Sequence, residues 1–140
     1  MFTTVFGVAR VQGNGMKPIA GDGDVALTYR LVGSLEPDDL VVYQAEGQQL
    51  VGRVVAKPGD KVEITSDGDL KVNGSVQPSL TGDATDPGSG TVSYPLTLGP
   101  NEYFVLGDGR TQATDSRETG PVGIDEVQGK VVALLRLRNI

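Results

Sequence analysis

Short stretches of alternating apolar and polar residues, each cut off by glycine, proline or an Asp/Asn pair, run through almost the whole chain. They are too short for ordinary helices, and their Val, Leu and Thr content suits pleated strands. Residues 2–11 predict a first strand, ending at Gly13-Asn14-Gly15. The turn Gly21-Asp22-Gly23-Asp24 leads to a second strand at 25–30. Glu36-Pro37-Asp38-Asp39 turns the chain into a strand at 40–43, and 49–56 reads as a longer one. Lys57-Pro58-Gly59-Asp60 places proline and glycine at the two centres of a type II turn and leads into 61–65. Asp67-Gly68 and Asn73-Gly74 tolerate positive φ and bracket 70–72, which predicts a short meander.

Residues 75–100 break this rhythm. The run Thr81-Gly82-Asp83-Ala84-Thr85-Asp86-Pro87-Gly88-Ser89-Gly90 is polar and rich in breakers, so the region is expected as a surface loop or a reduced subdomain projecting from the strands. Asp83 and Asp86 read as solvated carboxylates rather than as a cation site. Tyr103-Phe104-Val105-Leu106 restores an apolar strand, followed by a polar segment at 107–120. A brief helical turn is expected near 124–127. The closing strand at 130–138 is too apolar at its start for an exposed edge.

Composition narrows this to one mainly β domain: 140 residues with 20 glycines and 8 prolines hold a single core, not two ordinary ones. The formal charge is -6, and no basic run resembles a phosphate-neutralising surface, which argues against nucleic acid. With no cysteine and no histidine, the chain cannot form a thiol nucleophile, an imidazole base, a disulfide or a thiolate or imidazole metal site. No cofactor or metal is expected. No run approaches the roughly 20 apolar residues that span a bilayer. The abrupt apolar start, Met1-Phe2-Thr3-Thr4-Val5-Phe6, reads either as a plain edge strand or as the junction to an upstream anchor.

Three blocks carry a resemblance: Gly13-Asn14-Gly15-Met16-Lys17-Pro18, then Val51-Gly52-Arg53-Val54-Val55-Ala56-Lys57-Pro58-Gly59-Asp60, then Gly107-Asp108-Gly109-Arg110 through Asp115-Ser116-Arg117-Glu118-Thr119-Gly120. In order and spacing, and with the final Gly129-Lys130-Val131, they resemble the type I signal peptidase family across nearly the whole chain. The resemblance implies a coiled, partly barrel-like antiparallel sheet over residues 1–140, with 75–100 as the reduced loop or small insertion. It also implies a site whose chemistry is missing. The family's serine nucleophile falls at Gly15 and its lysine base at Gly52, and glycine supplies neither oxygen nor amine. The serine that orients the lysine falls at Ala113, and a side-chain oxyanion donor present in some members falls at Gly13.

What survives is the frame. Gly13, Asn14, Gly15, Met16, Pro18 and Gly52 are candidates for lining an extended-peptide groove. Asp108, Arg110, Asp115, Ser116 and Arg117 are candidates for holding the polar loop, with Asp115 or Asp108 bonded to Arg110 or Arg117. Lys17 reads as a surface lysine, not a relocated base. A narrower resemblance, in the Gly52 and Asp115 blocks and the closing Leu134-Leu135-Arg136-Leu137-Arg138-Asn139-Ile140, is to the catalytically silent signal-peptidase-like proteins of Gram-positive sortase-assembled pili. It implies a non-enzymatic accessory or chaperone on the extracytoplasmic face of the membrane, with pilin subunits or a pilus sortase as partners. The alternatives are an atypical peptidase that does not use serine, and a passive structural component of the surface assembly.

Overall fold

A computed structural model describes residues 6–13, 15–30, 34–79, 81–88, 92–111 and 113–136. Asn14 and the two ends of the chain lie outside them. The strands are β1 (Phe6–Arg10), β2 (Val25–Tyr29), β3 (Leu40–Ala45), β4 (Gln48–Ala56), β5 (Lys61–Ile64), β6 (Leu70–Val72), β7 (Ser75–Gln77), β8 (Leu96–Thr97), β9 (Glu102–Leu106), β10 (Val122–Gly123) and β11 (Val127–Leu135). One short helix, α1 (Ser116–Thr119), follows the polar segment, and a single 3-10 turn occupies Ile124–Glu126.

The turn chemistry sets the local hairpins. Gly59 adopts φ 88° and the Asp60 amide donates to the Lys57 carbonyl at 3.0 Å, closing the Pro-Gly turn. Asn73 and Gly74 both have positive φ (52° and 85°), the backbone that a two-residue hairpin between twisted strands requires, and β6 pairs with β7 across them.

Among the described residues all pairings are antiparallel and fall into two sheets. One runs β1-β2-β11-β3-β4-β9-β10, the other β7-β6-β5-β8. The 75–100 region supplies β7 and β8 to the second sheet. The expected coiled, partly barrel-like sheet is not what forms. The large sheet is neither curled nor closed: it ends on β1 and on the two-residue β10, which do not pair with each other. Closure would need those end strands to meet in register, and β10 is too short to carry such a seam. The apolar faces are covered by stacking instead.

β9 shows how. Its alternate residues enter different cores, Tyr103 and Val105 joining Leu35, Val41, Tyr43 and Val54 in one, Phe104 and Leu106 joining Val62, Ile64 and Leu70 of the second sheet in the other. A strand buried on both faces reads as continuously apolar, which is why this segment lacks the usual alternation. Beyond β1, Val11, Met16 and Ala20 form a small satellite core that fixes the first polar turn beside β4.

Candidate functional site

The three sequence blocks converge. Gly13, Gly15 and Met16 face Leu50 and Val51 of β4, with Ala113 and Thr114 alongside, around a cleft of about 270 Å³. Met16 is buried, while Pro18 is exposed and does not line the cleft. The first and third blocks are bonded directly: the Gly109 amide donates to the Gly15 carbonyl at 2.8 Å, and the Asp108 amide donates to Met16 Sδ at 3.4 Å. β4 pairs with β3 from Gln48 to Arg53, but with β9 only from Arg53 onward. The main chain of residues 48–52 therefore has no strand partner on its β9 side among the described residues.

Gly15 and Gly52 sit in different surroundings. A Cβ at Gly15 would lie 3.0 Å from Ala113 Cα and 3.2 Å from Ala113 Cβ, so positions 15 and 113 are neighbours at the cleft wall. Gly52 is buried and lines no part of the cleft. A Cβ there would overlap Val105 Cγ1 and lie 3.4 Å from Tyr43 Cε1. The volume a side chain at 52 would need is occupied by the core.

The polar loop is held by buried ion pairs. Asp115, only 1% exposed, accepts from the Gly107 amide (3.0 Å), from the Arg117 amide (3.1 Å), and from Arg117 Nε and Nη2 (2.9 and 2.8 Å). It is also the N-cap of α1. Burial disfavours the charged Arg117, but the hydrogen bond and charge of Asp115 outweigh it and raise the guanidinium above its ordinary value. Arg117 Nη2 also donates to the Arg110 carbonyl. Ser116 Oγ accepts from the Val105 amide at 3.0 Å, tying α1 to β9.

Asp115 and Arg117 are thus paired within the set that the sequence allowed. Asp108 instead takes a two-pronged bond from Arg53, Nε to Oδ1 and Nη2 to Oδ2, both 2.9 Å. That bond raises Arg53 above its ordinary value. Arg110 donates to the Gly107 carbonyl and to Thr85 Oγ1, and burial, with repulsion from Arg117, lowers it. Arg53 and Thr85 were missed by sequence reading. Arg53 meets Asp108 across 55 residues and Thr85 meets Arg110 across 25, so neither partner was marked by its sequence neighbours.

Tyr43 was missed too. Its ring is fully buried against Gly52, and its hydroxyl has no hydrogen-bond partner among the described residues. Burial, reinforced by the charge of Asp115, pushes the phenol well above the usual tyrosine range. Tyr94 is likewise pushed up to about 12 by burial, again with Asp115. Because the folded value is raised, the neutral phenol's contribution is complete below the unfolded value of about 10 and is lost as pH rises above it. Tyr43→Phe removes an unsatisfied hydroxyl, so at neutral pH it should leave stability unchanged or raise it by about 1 kcal/mol. Urea melts should also show the variant losing less stability than wild type above about pH 10. A loss of more than about 1 kcal/mol at neutral pH would mean that the hydroxyl is bonded after all.

Among the described residues no group of three His, Cys, Asp or Glu is placed to hold a metal ion, and no helix is long and apolar enough to cross a membrane.

Comparison with known proteins agrees with this geometry. Residues 1–135 match the family described as signal peptidase, peptidase S26. The chain is similar to Signal peptidase I T of Bacillus subtilis, 31% identical over 132 residues and covering 85% of this chain and 68% of that protein. It is similar to Signal peptidase I of Bacillus caldolyticus at 32% over 146 residues, covering 91% and 78% respectively. Among solved structures, a signal peptidase I from Enterococcus faecalis aligns with a TM-score of 0.55 at 26% identity, covering 73% of this chain and 99% of that one.

Proposed function

The chain belongs to the signal peptidase S26 family, and from that premise we propose that it is a non-catalytic member which binds an extended peptide segment in the cleft beside Gly15. The observation that carries the reading is the open edge of β4: residues 48–52 have no strand partner on one side among the described residues, and Leu50 and Val51 line the cleft. An extended peptide added there makes main-chain bonds for affinity and seats alternate side chains against Met16 and Leu50 for selection. Loss of turnover is supported by glycine at 15 and 52 and alanine at 113, and by the core side chains that crowd position 52.

In its finer form, the proposal makes this domain an accessory or chaperone of sortase-assembled pili, bound to pilin subunits or to the pilus sortase at the extracytoplasmic face of the membrane. That part rests on the sequence resemblance of the Gly52 and Asp115 blocks. Crosslinking from a photoreactive residue at position 17 or 18, in the full-length protein on cells, followed by mass spectrometry, tests it. A pilin or sortase segment joined to that face is the expected product. No saturable adduct with either protein would remove the pilus assignment.

A second reading, a peptidase that works without the serine-lysine pair, is favoured by the relatives themselves, which are named signal peptidases. It is tested by incubating the protein with a precursor that bears a signal peptide and weighing the products. The expected result is intact precursor over a time in which an active relative cleaves completely.

A further inference from the structure

We propose that a second cavity, lying end to end with the cleft, is a carboxylate-binding pocket that selects peptides carrying an acidic side chain; the proposal rests on the peptide-binding reading above. The cavity, of about 340 Å³, includes Gly7 and Ala9 of β1, Thr28 of β2, Gln49 of β4 and Gln128 of β11, with Arg30 just beyond β2. Gln49 lies two residues before Val51 on the same face of β4, and Ala9 lies two residues before Val11 on the same face of the β1 segment, and both Val51 and Val11 line the cleft. One extended chain can therefore run from one cavity into the other.

Among the described residues Arg30 is the only charged group lining this cavity, and no carboxylate lines it, in a protein whose net charge is -6. It has no ion pair or hydrogen bond to a described residue, unlike Arg53, Arg110 and Arg117. Its guanidinium packs beside Gly7. A Cβ at Gly7 would stand 2.7 Å from Arg30 Nε, 2.9 Å from Nη2 and 2.8 Å from Thr28 Oγ1, so the absence of a side chain is what allows these three donors to converge. On the other side of Thr28, Gly129 is equally confined, with a Cβ there 2.8 Å from Thr28 Cβ. The floor is low on both flanks of the hydroxyl. Gln49 Nε2 donates to Gln128 Oε1 at 2.6 Å, which holds two amides at the opposite wall. A planar cation with a hydroxyl and fixed amides suits a carboxylate, which takes two parallel bonds from a guanidinium. Residues Gly7 to Ala9 are two to six positions along the chain from Val11 to Gly13, so at about 3.3 Å per residue the acidic side chain sits roughly two to six residues from the one seated beside Met16.

The test measures fluorescence anisotropy of short synthetic peptides, apolar at alternate positions, with glutamate stepped along the sequence and glutamine as the neutral isostere. At one position, glutamate should bind about five- to tenfold more tightly than glutamine. Arg30→Gln should abolish that preference and leave the glutamine peptides unchanged. Gly7→Ala keeps the charge but displaces the guanidinium, and should weaken the preference too. If glutamine peptides bind and glutamate gives no advantage at any position, the pocket is refuted while the cleft stands. If no peptide binds saturably, both fall. If Arg30→Gln instead weakens binding to vesicles containing anionic lipid, with no glutamate preference in peptides, Arg30 is a membrane contact and the proposal is overturned.

Discussion

Replacing Asp115 with alanine should cost this protein about 3–5 kcal/mol, a large part of the stability of a domain of this size. The carboxylate is 1% exposed and accepts four hydrogen bonds, three of them from Arg117. Its removal strands a guanidinium whose side chain is 5% exposed. That buried charge cannot regain its hydration without opening the loop, and the Gly107 amide and the start of α1 lose their acceptor together. The expected fall in melting temperature is on the order of 10 °C or more. Asp115→Asn keeps the shape and one acceptor but not the charge, and should fall between. Thermal and urea denaturation of the three proteins decide the matter. A change below about 1 kcal/mol for the alanine variant would mean that the loop is held by something other than this pair.

The second large effect separates the two glycines. Both stand where the sequence resemblance places the family's serine and lysine, yet they should respond oppositely to a side chain. Gly52→Ala forces a methyl into Val105, which is fully buried and whose branched side chain has little rotameric freedom in a strand. Overpacking there should cost about 1–3 kcal/mol. Val105→Ala in the same molecule should return part of it, a non-additivity that identifies the contact. Gly15→Ala meets Ala113 at 3.0–3.2 Å on the wall of an open cleft, where a shift of a few tenths of an ångström suffices, and should cost less than about 1 kcal/mol. Restoring the pair as Gly15→Ser with Gly52→Lys should accordingly destabilise the fold without restoring cleavage. Ala113 cannot orient the lysine, and position 52 has no room for one. Robust cleavage of a signal-peptide precursor by this double variant would overturn the account, as would equal stability of the two alanine variants.

Much of the site's frame was legible because it is built from short-range rules. The Pro58-Gly59 and Asn73-Gly74 turns follow from φ alone, and the apolar run at 103–106 announced a strand, whose burial on both faces only the structure showed. The block around Asp115 and Arg117 promised an ion pair within one loop, and a pair only two residues apart needs little from the rest of the chain. Arg53 and Asp108 are 55 residues apart, and their bond exists because β4 and β9 lie side by side. Nothing local could match that cation to that carboxylate in preference to Arg110 or Arg117.

The sequence by itself determined most of the strands, though not β7, β8 or β10, and with them the main turns, the family and the identity of the residues that stand at 15, 52 and 113. These depend on the backbone freedom of glycine and proline, on alternation, and on which functional groups a side chain carries, all properties of neighbouring residues. Tertiary structure alone decided that the large sheet stays open, that Val105 and Tyr43 crowd Gly52 while Gly15 faces a cleft, and that Arg30 packs beside Gly7 with no counter-charge among the described residues. Each of these turns on packing and charge between residues distant in sequence, where a gap of an ångström separates a filled core from a usable surface.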